Sequence, residues 1–232
     1  CISENSREKE LQYIDLLYSH RVLGIVVCSH IGETMEHLDS NCPLISFERE
    51  IAENIPAVLC DNYQGGILAA NRLFDAGCRN IAIFNQPTKE NIPAYSREKA
   101  FMKCCENKKI SGRVVYTDRL APLSEEFGNN ILELLKKNSD LDGIFATSDV
   151  MAANIIRACK KMGKRVPEDI SIVGFDDTWI STLTYPSITT IHQPVQEMCE
   201  YAIEAIVKKV KSEKVPSQVV FPVELIDRES TK

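Results

Sequence analysis

The sequence predicts an α/β fold built on parallel sheets and divided between two lobes. Short apolar, β-branched runs alternate along the 232 residues with longer stretches of helical period, the pattern of strands joined by crossover helices. Nine strand candidates exceed what one five-stranded sheet holds, and Pro87 and Pro194 stand at positions suited to crossing between two bodies. Two similar doubly wound lobes therefore fit better than one very wide sheet.

Strands are expected at 22–28, 44–47, 57–60, 81–84, 114–116, 143–146, 170–173 and 188–191, with 219–226 closing the series. Each is a run suited to a pleated, buried surface. Helical patterns fall at 65–76, 96–106, 125–137, 150–162 and 195–211. In the last, Val195, Met198, Cys199, Ala202 and Ile206 recur at three- and four-residue spacing and form one apolar face. Ser148 and Asp149 supply an N-cap and an acidic first turn to the helix beginning near Val150. Gly77 and Gly163 sit where left-handed glycines end helices. The expected division assigns 1–87 with 194–217 to an N-terminal lobe and 88–193 with 218–232 to a C-terminal lobe.

Composition excludes several classes. A net charge of −6 argues against this chain holding DNA by itself, because phosphate binding needs clustered Lys and Arg. Lys208, Lys209 and Lys211 do cluster, but they close a helix, where positive charge is favourable. No apolar run approaches the roughly 18 residues of a membrane span. Nine cysteines form no C-x-x-C pair and no zinc spacing with the four histidines, so reduced thiols, no metal and a cytoplasmic location are expected. G-x-S-x-G, P-loop, G-x-G-x-x-G and H-E-x-x-H motifs are all absent, and neither an enzyme nor a cofactor is expected.

Polar residues at strand ends carry the functional signal. Glu48-Arg49, Asp61-Asn62, Ser148-Asp149 and Asp176-Asp177 each follow a strand candidate. One such site is usually a cap or a turn. Four of them suggest a polar cleft, because ligands of open α/β sheets collect at the carboxyl ends of strands. Arg97 opens a helix, where its charge opposes the dipole, so a role away from the helix is expected. Gly65-Gly66 could receive an anion at a helix start, but close packing on the sheet is the preferred reading. His20, His30 and His37 are expected at surfaces or helix ends, and His192 lies near a crossing.

These motifs resemble those of the lactose-repressor (LacI/GalR) regulators. Asp61-Asn62, Gly65-Gly66, Ala69-Ala70, Leu73 and Gly77 match the family's D-N-x-x-G-G-x-x-A-x-x-x-L-x-x-x-G segment, with Arg72 and Cys78 where histidines are usual. The stretch 143–162 matches a strand and helix of the family, with Ser148 replacing its common Asn and Asn154 a later Gly. The run 166–194, VPEDISIVGFDDTWISTLTYPSITTIHQP, matches almost throughout. The resemblance covers essentially the whole chain. It implies the type I periplasmic-binding-protein fold: two flavodoxin-like lobes with a ligand cleft between them.

By position, the resemblance places ligand contacts on Arg97 and Asp176, and on Ser148 and Gln193; Glu48-Arg49 stands where sugar-binding relatives have Asp-Arg. Leu123 occupies a place that many members give to a stacking aromatic. It implies the effector-sensing core of a transcriptional regulator: a small polar metabolite, a sugar or a sugar-like compound, binds the core of a homodimer, and operator DNA is reached only through a headpiece outside this sequence. The first strand, first helix and most of the second strand of the N-terminal lobe are expected to be missing, leaving 22–28 as an edge strand. The alternative is the solute-binding protein of a sugar transporter. That protein would need an export signal, and nine unpaired cysteines suit its oxidising compartment poorly.

Overall fold

The structure is a computed structural model and describes residues 1–2, 6–28, 42–87, 92 and 94–232. His30 and His37 lie outside the described residues. The chain divides into two compact units, residues 1–60 with 194–221 and residues 61–193 with 222–232.

The first unit opens with helix α1 (Arg7–Ser19), whose N-cap Ser6 accepts from the Lys9 amide at 3.4 Å. Strands β1 (Ile25–Val27), β2 (Leu44–Phe47) and β3 (Ala57–Cys60) follow, all parallel. Helix α7 (Val195–Val210) packs on them through the buried face of Met198, Ala202, Ala205 and Ile206. Strand β9 (Gln218–Phe221) then pairs parallel to β3, giving the order β1-β2-β3-β9. Among the described residues β1 pairs only with β2, so it is an edge.

The second unit holds α2 (Asn62–Asp75), β4 (Asn80–Asn85), α3 (Tyr95–Lys108), β5 (Ser111–Tyr116), α4 (Glu125–Lys137) and β6 (Gly143–Ala146). It continues with α5 (Asp149–Lys161), β7 (Ser171–Asp176), α6 (Trp179–Leu183), β8 (Thr189–His192) and β10 (Glu224–Ile226). The sheet order is β10-β8-β7-β6-β4-β5. Counting β4 to β8 as strands one to five, this is the doubly wound order 2-1-3-4-5, with β10 added antiparallel on the edge. Its core includes the fully buried Phe84, Phe127, Ile131, Ile144 and Ile172.

The unit boundaries differ from the expected ones. The first crossing falls after Cys60 rather than at Pro87. Asp61 caps α2 by accepting from the Gln64 amide at 2.8 Å, and β4 pairs with β5 and β6, so 61–87 belongs to the second unit. The expected closing strand 219–226 is two strands, β9 in the first sheet and β10 in the second. Pro222 separates them, and its missing N–H cannot continue a ladder. The last crossing therefore follows Phe221 instead of 217.

Candidate ligand-binding site

The carboxyl ends of β4, β6, β7 and β8 deliver Asn85, Thr147-Ser148, Asp176-Asp177 and His192-Gln193 to one edge of the second unit's sheet. Asp176 and Asp177 both have positive φ, 104° and 54°, which non-glycine residues adopt at a cost of about 1–3 kcal/mol. Two consecutive strained carboxylates need support from their surroundings. Asp177 has it: it accepts from Arg228 Nη2 at 2.7 Å and Ser181 Oγ at 3.2 Å, and it pairs with His192 Nδ1 at 3.0 Å. Burial pushes its pKa up, but Arg228, His192 and Ser181 outweigh this and hold the carboxyl below its ordinary value. Asp176 instead accepts from the buried Gln193 Nε2 at 2.6 Å.

Arg97 is the third residue of α3, and Ala94 before the helix provides no side-chain cap. Arg97 is only 7% exposed. It donates from Nε to Asn62 Oδ1 at 2.6 Å and from Nη1 to the Thr147 carbonyl at 3.1 Å, and it lies over the Phe175 ring. A buried cation requires such partners, because desolvating it alone costs far more than any packing gain. The Phe175 ring is itself carried by a row of aromatics, 6.3 Å from Phe145, which lies 5.8 Å from Phe101.

The glycine pair of α2 has its reason here. A Cβ at Gly65 would lie 2.7 Å from the Phe175 ring, and one at Gly66 would lie 2.3 Å from the Arg97 carbonyl. Close packing is what both positions demand.

A second hydrogen-bonded chain runs beside Arg97. Glu98 accepts from Tyr116 Oη at 2.8 Å and Asn85 Nδ2 at 3.1 Å, and Thr147 Oγ1 donates to Asn85 Oδ1 at 3.1 Å. Burial, then Glu98, pushes the Tyr116 phenol up to about 12, so it stays a donor. Beneath this edge, the fully buried Asp149 accepts from the Thr178 amide and hydroxyl at 2.6 and 3.1 Å and from Thr190 Oγ1 at 2.6 Å. It ties α5 to the segment after β7 and to β8; burial nonetheless holds its pKa above the ordinary value.

Ser148 is the N-cap of α5, its hydroxyl accepting from the Met151 amide at 3.2 Å. Leu123 is 86% exposed on the loop entering α4. In the first unit, Glu48 follows β2 with φ 53°, and its carboxylate accepts from the Cys60 amide and thiol. Arg49, beside it, is partly buried, and desolvation lowers its pKa. Asn62 is legible from the sequence only as part of a polar strand end, and Thr147 and Phe175 carry no signal of their own, yet all three hold Arg97. Among the described residues no group of three or more His, Cys, Asp or Glu is arranged to hold a metal. A cavity of about 350 Å³ is lined by Glu53, Asn54, Pro56, Lys209 and Ser217 of the first unit, at the amino ends of β3 and β9, away from every predicted site residue.

The positions that depart from the resemblance have local accounts. Arg72 pairs with Asp227 and donates to the Lys232 carbonyl at 2.7 Å, so it anchors the chain's last residues. Cys78 is buried, its thiol 3.2 Å from the Asp142 carbonyl. Asn154 Nδ2 donates to the Pro122 carbonyl at 3.2 Å, bracing the loop that carries Leu123.

A doubly wound parallel sheet with polar residues gathered at its carboxyl edge, in a chain that also holds a second parallel α/β unit, defines a binding protein of the periplasmic type. Residues 70–231 match the periplasmic binding protein-like domain. The chain is 31% identical over 233 positions to the ribose operon repressor of Halalkalibacterium halodurans, covering 100% of this chain and 69% of the repressor. It is similar to the crystal structure of a periplasmic binding protein/LacI transcriptional regulator from Alkaliphilus metalliredigens complexed with D-xylulofuranose, with TM-score 0.86, 33% identity, and coverage of 100% of this chain and 86% of that one. A LacI family transcriptional regulator from Enterococcus faecium with bound ribose aligns with TM-score 0.80 and 26% identity over 95% of this chain and 84% of that one. The chain belongs to the LacI family, as its periplasmic-binding-protein-like domain.

Proposed function

We propose that this chain is the effector-sensing core of a LacI-type transcriptional regulator and that its effector is a sugar or a closely related polyol. The observation carrying this reading is the convergence of Arg97, Asp176 and Gln193 at the carboxyl edge of the second unit's sheet, beside Phe175. A carboxylate accepts from vicinal hydroxyls, a guanidinium donates to ring and hydroxyl oxygens, and an amide does both. A ligand lacking those groups would strip water from these polar atoms and offer no hydrogen bonds in return, which is the basis of selection for polyols. Ser148 is proposed to contribute its backbone, since its hydroxyl caps α5. Glu48 and Arg49 are proposed as contacts of the first unit. The relatives named above support a pentose in particular, since one is a ribose operon repressor and two structures hold D-xylulofuranose and ribose.

The effector acts by its differential affinity for two arrangements of the protein. Homodimerisation, a cytoplasmic location, and operator binding through a headpiece outside this sequence belong to the same proposal. The relatives are transcriptional repressors rather than enzymes or transporter components. Thermal unfolding in the presence of a panel of pentoses, hexoses and disaccharides tests the proposal. At 100 times Kd a ligand adds about 2.7 kcal/mol, so a bound sugar gives a clear rise in Tm. No rise with any sugar would overturn it.

A further inference from the structure

We propose that Cys28 and Cys199, both in the first unit, form a thiol pair that closes to an intramolecular disulfide by exchange with low-molecular-weight disulfides. Cys28 directly follows β1, and Cys199 lies in the second turn of α7; both are exposed. The fold brings them together. A Cβ added at Gly24, just before β1, would touch Ile206 of α7 at 2.6 Å, which fixes where helix and strand meet. The end of α7 lies at the amino ends of β3 and β9, where Lys209 shares a cavity wall with Pro56 and Ser217, so α7 runs antiparallel to these strands and to β1, which is parallel to them.

From that meeting point, Cys28 lies four residues further along the strand, about 13 Å. Cys199 lies seven residues back along the helix, about 10 Å in the same direction. Seven residues also return to within about 20° of the same helix face. The two thiols therefore stand abreast at the carboxyl end of the sheet.

Their electrostatics agree. Desolvation raises the Cys28 pKa, Cys199 adds to that rise, and the Arg49 guanidinium opposes it. The same Arg49 is influenced in turn by Cys28. Burial outweighs the Arg49 cation and keeps Cys28 protonated more than a free thiol, which suits it to act second, as the resolving thiol.

The chemistry balances as two exchanges. The Cys199 thiolate attacks one sulfur of the small disulfide, forming a mixed disulfide and expelling one thiolate. Cys28, deprotonated, then attacks Cys199 Sγ and expels the second. Two protein thiols are oxidised by two electrons, the small disulfide is reduced to two thiols, and no other reagent is consumed. The product staples the start of α7 to the end of β1.

The test incubates the reduced chain with oxidised glutathione, blocks remaining thiols by alkylation, and maps the digest by mass spectrometry without reduction. The expected result is one major linked peptide joining Cys28 to Cys199, reversed by dithiothreitol, with the buried Cys60, Cys105 and Cys159 alkylated only after unfolding. Cys28→Ser and Cys199→Ser should each lose the link and retain glutathione on the remaining partner. The parent's peptide map decides the matter even if a variant fails to fold. Glutathione held separately on both cysteines, a link to a different cysteine, or a link between two chains on a non-reducing gel would each overturn the proposal.

Discussion

The guanidinium carbon of Arg97 sits 3.4 Å from the centroid of the Phe175 ring, and Phe175 immediately precedes the strained Asp176. A cation over an aromatic face contributes about 0.5–2 kcal/mol, more when water is excluded. The contact joins the opening turn of α3 to the carboxyl end of β7. It holds a helix residue that is unfavourable for its own dipole at the sheet edge where the proposed ligand contacts gather.

Replacing Arg97 with lysine tests the fork geometry. An ammonium cannot serve Asn62 Oδ1 and the Thr147 carbonyl from one plane while covering Phe175. Urea unfolding should show a loss of about 1–3 kcal/mol, the cost of a buried polar partner left unpaired. Sugar affinity by calorimetry should fall at least tenfold, about 1.4 kcal/mol.

Asp176→Asn separates binding from folding. Asparagine tolerates positive φ nearly as well as aspartate, so Tm should stay close to that of the parent while sugar-induced stabilisation disappears. Asp176→Val, β-branched at φ 104°, should instead unfold at visibly lower urea, by about 1–3 kcal/mol.

Asp177 gives a pH signature. Its folded pKa lies below the ordinary value, so its stabilising contribution is present above the unfolded pKa of about 3.9 and is lost as pH falls through the folded value. The stability gap between the parent and Asp177→Asn, followed by urea unfolding, should be constant from pH 7 to 5. It should close as pH drops below about 4.

Asp149 should behave in the opposite sense. Its folded pKa is raised, so between the unfolded and folded values the native state binds the extra proton, and stability attributable to this group falls as pH rises through that window. Asp149→Ala, which leaves the Thr178 amide and Thr190 hydroxyl without an acceptor, should cost about 2–5 kcal/mol at pH 7 by urea unfolding.

Much of this was legible in the sequence where the signal is local. Strands β2, β3 and β6 run over the residues their apolar patterns predict, because each is a short apolar run that polar residues close abruptly on its carboxyl side. Ser148 was legible as a cap for the same reason. The misplaced crossing was not: nothing near Pro87 reveals that Gly65 and Gly66 pack on Phe175 and the Arg97 backbone, contacts that assign α2 to the second unit. The site divides in the same way. Arg97 stood out because its charge opposes a helix dipole, whereas its partner Asn62 lies 35 residues away and Thr147 lies 50 away, beyond any periodicity.

The central claim is that the ligand is read by Arg97 and Asp176 at the carboxyl edge of the second sheet. A crystal structure of the chain with its most stabilising sugar tests this directly. Sugar oxygens within about 3.2 Å of both the Arg97 guanidinium and the Asp176 carboxylate are the predicted result. A sugar seated elsewhere, with neither residue touching it, would contradict the account.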